Sequence, residues 1–133
     1  MKKVMVDMSA TLIHHGHIRL IKEAAKYGQV TIALTTDEEI VKNKGYAPEL
    51  DYSSRKEILL AISEVSDVVP SDWLLNEEFL DTHNIDFLIH GSDNTNLIPE
   101  ERLIILPRTP GISSSILRGK VLSSIAQTYL SKK

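Results

Sequence analysis

Short apolar runs rich in β-branched residues alternate along the chain with segments in which apolar residues recur every three or four positions. This alternation is typical of βαβ units, in which helices connect parallel strands. Each run resembles a strand that is covered on both faces of its sheet. We predict five strands, at residues 4–6, 30–34, 67–69, 86–89 and 103–106.

Helices are predicted in the intervening segments from their apolar spacing. Between the first two strands, the apolar positions Ile18, Ile21, Ala24 and Ala25 precede Gly28, a residue type common just after a helix. A second helix is predicted at residues 53–65, with shorter ones at 37–41 and 74–82 and a C-terminal one at 113–130. The second helix would be capped by a serine and would face inward through Ile58, Leu59, Ala61 and Ile62; the serine is Ser53 or Ser54. The C-terminal helix would carry one apolar face, made of Ile116, Leu117, Val121, Ile125 and Leu130.

This order predicts an α/β fold: a Rossmann-like open parallel five-stranded sheet flanked by helices, in a single domain over residues 1–133. In such sheets, ligands bind beyond the carboxyl ends of the strands, where the strand order reverses. Function is therefore expected in the loops at residues 8–17, 35–44, 91–96 and 107–115.

Composition limits the classes of partner. The 133 residues include 15 Lys and Arg, 18 Asp and Glu and no Cys, with a net charge of −3. This balance argues against nucleic-acid and membrane-surface binding, and the lack of Cys excludes disulfides and thiolate chemistry. Because no apolar run approaches the roughly 20 residues of a membrane span, we expect a cytoplasmic protein.

Three of the five histidines fall in the segment His14-His15-Gly16-His17, where a helix is expected to begin. Backbone N–H groups at a helix start attract anions, and Gly16 would allow close approach. Histidines there could donate hydrogen bonds to a phosphate oxygen whose charge grows during transfer. The alternatives are a helix cap and a metal site; the metal site is weak because no carboxylate lies in the cluster. We therefore predict functional roles for His14 and His17, and a structural one for His15.

The last loop, Arg108-Thr109-Pro110-Gly111-Ile112-Ser113-Ser114-Ser115, also passes from a strand into a helix. Its serines, its N–H groups and the Arg108 guanidinium could hold a second phosphate. An ordinary helix cap explains the serines equally well. If both helix starts lie at one sheet edge, they could hold the two ends of one polyphosphate.

Lys42 and Lys44 follow an acidic stretch in the segment between these loops. Solvated surface charge is the usual meaning of such a pair. A mobile loop that places one ammonium on a triphosphate is the alternative. P-loop, dinucleotide-binding and nucleophile-elbow motifs do not occur in the sequence.

Taken together, these motifs resemble the small bacterial cytidylyltransferases of the His-x-Gly-His nucleotidyltransferase superfamily, those acting on glycerol 3-phosphate and their phosphonate-pathway relatives. The likeness covers nearly the whole chain, including residues 14–17, 36–38, 42–44, 55–56, 68–70, 83–86 and 108–113.

The resemblance implies transfer of a cytidylyl group from CTP to a phosphorylated acceptor with release of pyrophosphate, using Mg²⁺, in a homodimer. His14, His17 and Lys44 would be catalytic, and Lys42 and Arg55 would face the acceptor. The nucleotide would contact residues of the first loop, the lysine segment, the fourth-strand loop and the last loop: Ser9, Ala10, His14, Gly16, His17, Lys44, Asp93, Arg108, Thr109, Gly111, Ile112, Ser113, Ser114 and Ser115.

The chain departs from the glycerol-phosphate enzymes at Met8-Ser9-Ala10-Thr11, which is closer to phosphonate-associated relatives, and at Gly91-Ser92-Asp93-Asn94. Asn76, Glu77 and Glu78 stand where those enzymes offer a lysine, which suits an amino-bearing acceptor; an exposed acidic helix face explains them equally. Two other hypotheses stay open: an adenylyltransferase on the same scaffold, and a nucleotide-binding regulatory domain without turnover.

Overall fold

The computed structural model describes residues 1–131, with side chains through residue 128. This part of the chain contains five strands and five α-helices, two of which lie between the second and third strands, and a short 3₁₀ helix at Glu100–Arg102. The strands are β1 (Lys3–Met8), β2 (Gln29–Thr35), β3 (Val65–Ser71), β4 (Phe87–Gly91) and β5 (Leu103–Leu106). The helices are α1 (His15–Ala24), α2 (Asp37–Lys44), α3 (Tyr52–Leu60), α4 (Glu77–Thr82) and α5 (Ser114–Ser131).

All five strands are parallel and form one sheet in the order β3-β2-β1-β4-β5. The chain builds outward from β1 to β3 on one side, then returns to place β4 against the other side of β1. The strand order therefore reverses between β1 and β4, where open α/β sheets bind ligands. This confirms the predicted fold class.

Alternate residues of β1 pack on opposite faces of the sheet, as strand geometry requires. Val4 and Val6 join the core beneath α1 and α3, which contribute Ile21 and Leu59. Met5 joins the opposite core, which includes Leu80 of α4. Both faces of the sheet are therefore covered, which explains why the strands have continuous apolar runs.

Several helices differ from their predicted extents. α2 continues past residue 41 to Lys44 and ends at Gly45, whose φ of 81° is left-handed, so the lysines lie on a helix and not in a mobile loop. α3 starts one residue earlier than predicted because Asp51, rather than a serine, caps it by accepting from the Ser54 N–H.

The inward face predicted for α3 is half correct. Leu59 is buried, whereas Ile58 is 41% exposed and Ala61 is exposed. α3 ends at Leu60, five residues earlier than predicted, and β3 begins at Val65. α4 is also shorter than predicted and begins at Glu77, since Asn76 caps it by accepting from the Phe79 N–H. No helix within residues 1–131 is long and apolar enough to cross a bilayer.

Arg55 of α3 is completely buried beneath the carboxyl ends of β1 and β2. Its guanidinium donates to the carbonyls of Ser9 (2.6 Å), Thr35 (2.9 Å) and Leu50 (2.9 Å), and pairs with the Asp37 carboxylate at 2.6 Å. A fork of donors satisfies these acceptors together, as a single ammonium could not. Arg55 therefore fixes the loops that follow both strands.

Replacing Arg55 with Met should lower the free energy of unfolding by about 3 kcal/mol or more, because buried carbonyls and a carboxylate lose their partner. Urea unfolding measures this. Lys56→Met, the next residue of the same helix, is the control and should stay within about 0.5 kcal/mol of the parent. Equal effects of the two substitutions would contradict the structural role of Arg55.

Candidate active site

A cleft of about 1270 Å³ opens at the carboxyl ends of β1 and β4. Its walls come from the first loop, the start of α1, the end of α2 and the turn that precedes α5. Ala10, at the base of the first loop, has a left-handed φ of 47°, which non-glycine residues seldom adopt. This cleft is where the strand order predicts ligand binding.

His14 and His17 form a reciprocal cap at the start of α1. His14 Nδ1 accepts the Gly16 N–H at 3.0 Å, and His17 Nδ1 accepts the His14 N–H at 3.2 Å. The two rings lie with their centroids 4.0 Å apart. The expectation that helix-start N–H groups meet a phosphate is corrected for Gly16, because the His14 imidazole already accepts from its N–H.

The cap fixes which imidazole nitrogen can act as a donor. Since each Nδ1 accepts a backbone N–H, the ring proton of the neutral form must lie on Nε2. Burial, followed by the neighbouring His14 and Arg108, lowers the pKa of His17 to about 4. Burial, then His15 and Arg108, also lowers the pKa of His14. Both rings line the cleft as neutral Nε2–H donors at pH 7.

The first loop and the turn before α5 meet directly. The Ser114 hydroxyl donates to the Leu12 carbonyl (2.9 Å) and accepts the Leu12 N–H (3.2 Å). A Cβ atom on Gly16 would lie 3.3 Å from Ile112 Cγ2 and 2.8 Å from His14 Cε1, so a glycine is needed at this close approach. The predicted convergence of the two segments is therefore present.

Serine and arginine side chains of the last loop have different partners. Ser113 caps α5, because its Oγ accepts the Ile116 N–H at 3.0 Å, as the cap interpretation expected. Arg108 is about half exposed at the cleft and pairs with Asp93 at 3.0 Å. Gly91 lets this pair approach, since a Cβ there would lie 3.1 Å from Arg108 Cγ. An incoming phosphate could replace the carboxylate on Arg108.

The cleft also contains a group that sequence reasoning missed. Asp7, near the end of β1, is hydrogen-bonded to His90 Nδ1 and accepts from Asn96 Nδ2 at 3.0 Å. Burial alone lowers the pKa of His90, but the Asp7 hydrogen bond and charge, with Asp93, outweigh it and raise this pKa. The signal that could have found both residues is their place at the ends of the two strands that flank the reversal.

Lys44 lies at the end of α2 and lines the cleft, with its Nζ 5.8 Å from the centre of the Trp73 ring.

Within the described residues, no three His, Asp or Glu side chains are grouped to hold a metal ion. Mg²⁺ that bridges phosphates keeps several waters and needs only one or two carboxylates. Asp93, in the loop after β4, is a carboxylate of the cleft that would hold such an ion once a phosphate has replaced it on Arg108.

The sequence profile of the cytidylyltransferase-like family matches residues 9–120, which include both halves of this cleft. The chain belongs to the cytidylyltransferase-like family. The family prediction made from the histidine and arginine-serine motifs is thereby confirmed.

Several cytidylyltransferases are similar along most of the chain. The mouse ethanolamine-phosphate cytidylyltransferase is 33% identical over 90% of this chain and 32% of its own length. The Bacillus subtilis strain 168 glycerol-3-phosphate cytidylyltransferase is 32% identical over 91% of this chain and 98% of its own. The chain thus spans about a third of the mouse enzyme.

A crystal structure of the lipopolysaccharide core biosynthesis protein from Thermoplasma volcanium GSS1 has the same fold. It superposes with a TM-score of 0.67 at 18% identity, over 82% of this chain and 98% of that one.

In this cytidylyltransferase-like chain, every residue predicted to contact the nucleotide lines the cleft. The predicted acceptor residues do not. Lys42 is exposed on α2 outside the cleft wall, and Arg55 is buried with its donors already used, so the expectation that it faces an acceptor phosphate is corrected. Glu77 lies outside the cleft and pairs with Arg102 at 3.2 Å, which agrees with the interpretation as an exposed acidic helix face.

The lowered pKa of His17 predicts the pH dependence of stability. Between pH 6.5 and about 4, His17 is protonated in the unfolded chain and neutral in the folded chain. The free energy of unfolding should therefore fall as the pH falls through this window. A His17→Asn variant should lose this contribution and show a shallower decline in urea unfolding between pH 6.5 and 4.5.

Imidazole ¹⁵N shifts of the parent give the independent check. They should show His17 neutral, with its proton on Nε2, at pH 6. A charged ring at pH 6 would contradict both the assigned tautomer and the pH dependence.

Proposed function

We propose that this chain transfers a cytidylyl group from CTP to a small phosphate- or phosphonate-bearing acceptor and releases pyrophosphate. The observation that carries the proposal is the meeting of two neutral imidazole donors with the Arg108–Ser115 turn in one cleft. Together with membership of the cytidylyltransferase-like family, this arrangement supports nucleotidyl transfer better than simple nucleotide binding.

The proposed reaction requires no covalent bond between substrate and protein. An acceptor oxygen attacks the α-phosphorus of CTP, and the bond to the oxygen that bridges the α- and β-phosphates breaks. The electron pair of that bond leaves with pyrophosphate. Because a phosphate or phosphonate oxygen is already ionised at pH 7, no general base is required. The catalytic demand is alignment of two anions and stabilisation of the moving charge.

Named side chains supply that stabilisation in the proposal. His14 and His17 donate from Nε2 to oxygens at the α-phosphate, where charge develops. Arg108 and the N–H groups at the start of α5 hold the leaving phosphates, and Lys44 adds a positive charge from the opposite wall. Asp93 would hold a Mg²⁺ ion, which would supply further positive charge to the triphosphate.

For the acceptor, we propose an aminoalkyl phosphate or phosphonate. The mouse and Dictyostelium discoideum relatives are named for ethanolamine phosphate. The cleft holds the Asp7 carboxylate and the Trp73 ring, and carboxylates and indole rings attract ammonium groups. A phosphonate differs from the phosphate in lacking the ester oxygen, and the shared charged group would meet the same donors.

Pyrophosphate release with matched substrates tests the proposal. CTP and ATP are each supplied with Mg²⁺ and glycerol 3-phosphate, phosphoethanolamine, 2-aminoethylphosphonate or 2-hydroxyethylphosphonate. We expect release with CTP, and faster release with the two amino compounds. Release with ATP alone would establish an adenylyltransferase, and nucleotide binding without release would establish a regulatory domain; either result overturns the proposal.

Two histidine variants control this assay. His17→Ala should lower kcat by about a hundredfold or more, because one donor to the developing charge is lost. His83→Gln changes a histidine outside the cleft, at the end of α4, and should leave turnover unchanged. Near-parental turnover by His17→Ala would remove His17 from the mechanism.

We also propose a homodimer, formed through α5. Its side chains Ile116, Val121, Leu122 and Ile125 are between 42% and 65% exposed, and a second copy would cover them. Light scattering should give twice the mass of one chain for the parent and a single chain for Val121→Glu. A monomeric parent at micromolar concentration would contradict the dimer.

A further inference from the structure

Arg118 joins α5 to two other parts of the molecule. Its Nε and Nη2 atoms both bind the Glu49 carboxylate, with Nη2 2.8 Å from Oε1. Nη1 donates to the Tyr46 hydroxyl at 3.0 Å, and Nη2 to Thr11 Oγ1 at 3.0 Å. All three nitrogen atoms of one guanidinium therefore have partners, and these partners lie in two segments of the chain.

One of these segments is the first loop. Thr11 is completely buried and precedes Leu12, which is held by Ser114. Ser114 and Arg118 are four residues apart on α5, so they lie on the same face of the helix in successive turns. Two neighbouring residues of the first loop are thus attached to two successive turns of α5.

The other segment follows α2 and runs over residues 45–51. Gly45 ends the helix in the left-handed conformation, directly after Lys44. Tyr46 and Glu49 lie four residues or fewer beyond Gly45 and are the residues that Arg118 binds. The Arg118 hydrogen bond also keeps the pKa of Glu49 below its ordinary value, so this carboxylate is ionised at neutral pH.

We propose that Arg118 is a positioning residue for CTP, which holds the Lys44-bearing end of α2 against the first loop and the start of α5. This inference rests on the function proposed above. Arg118 is not among the residues that line the cleft, so it acts through Lys44 and the first loop. The planar fork of the guanidinium is essential, because it grips the carboxylate with two bonds and still reaches Tyr46 and Thr11.

Small displacements explain why a distant contact would matter. A misplacement of about 1 Å at a reacting group can cost up to about a hundredfold in rate. Without Arg118, residues 45–51 lose their attachment to α5, and the Lys44 ammonium is no longer held at a fixed distance from the histidines. Arg118 binds Glu49, Tyr46 and Thr11 and neither Asp7 nor Trp73, the residues proposed for the acceptor, so the KM for the acceptor should not change.

The test compares CTP kinetics of the parent, Arg118→Gln and Arg118→Lys. We expect kcat/KM for CTP to fall roughly tenfold to a hundredfold in Arg118→Gln, with the acceptor KM unchanged. Arg118→Lys keeps the charge without the fork and should fall between the two. Arg102→Gln is the matched control, since Arg102 is also paired with carboxylates at nearly the same exposure, 20% against 21%, but lies outside the cleft wall.

A double-mutant cycle separates positioning from general stability. If Arg118 acts by placing Lys44, Arg118→Gln should lower kcat/KM much less in a Lys44→Met background than in the parent. Glu49→Gln should reproduce most of the loss and serves as the variant if Arg118→Gln does not fold. Undiminished losses in the Lys44→Met background would overturn the route through Lys44.

Other outcomes are equally decisive. If Arg118→Gln melts earlier but keeps parental CTP kinetics well below its melting temperature, Arg118 is purely structural and the inference fails. If the parent neither binds CTP in calorimetry nor releases pyrophosphate, the proposed function fails instead. A parent that turns over CTP beside an Arg118→Gln variant that does the same overturns this inference alone.

Discussion

Two hydrogen bonds between the Ser114 hydroxyl and the Leu12 backbone hold the site together. A parallel sheet guarantees only that the ends of its strands share one edge. It does not guarantee that the helices which follow β1 and β5 touch, because β4 lies between these strands. The contact across 102 positions of the chain supplies what the sheet does not, and it brings the two imidazoles and Arg108 to one cleft.

Elements that bury apolar side chains could be predicted from the sequence, whereas elements decided by polar contacts could not. All five strands were located, because continuous apolar runs leave few alternatives for a chain of this length. The end of α2 was missed, since residues 42–44 are polar and their helix is stabilised by an acidic first turn, basic residues in the last turn and a glycine at the end. The cap of α3 was misplaced because two serines and Asp51 compete for one position.

For the site, the loops were predictable and the depth of each side chain was not. Arg55 and Arg108 both lie in segments that carry the family resemblance. Arg55 is nevertheless buried among carbonyls, whereas Arg108 is exposed at the cleft. The fold alone determines which arginine is buried, because both side chains carry the same hydrogen-bond donors. Asp7 and His90 were overlooked because they are single polar residues at strand ends, and their partnership depends on β1 and β4 being neighbours.

The reciprocal cap of His14 and His17 has a consequence for the end of the proposed catalytic cycle. Neutral imidazoles offer directed hydrogen bonds without adding a full positive charge near the phosphates. Ammonium groups at the same places would attract the departing pyrophosphate almost as strongly as the triphosphate that arrives. The histidine pair thus favours release of the product. It also makes ligand affinity less sensitive to ionic strength than a cluster of lysines would.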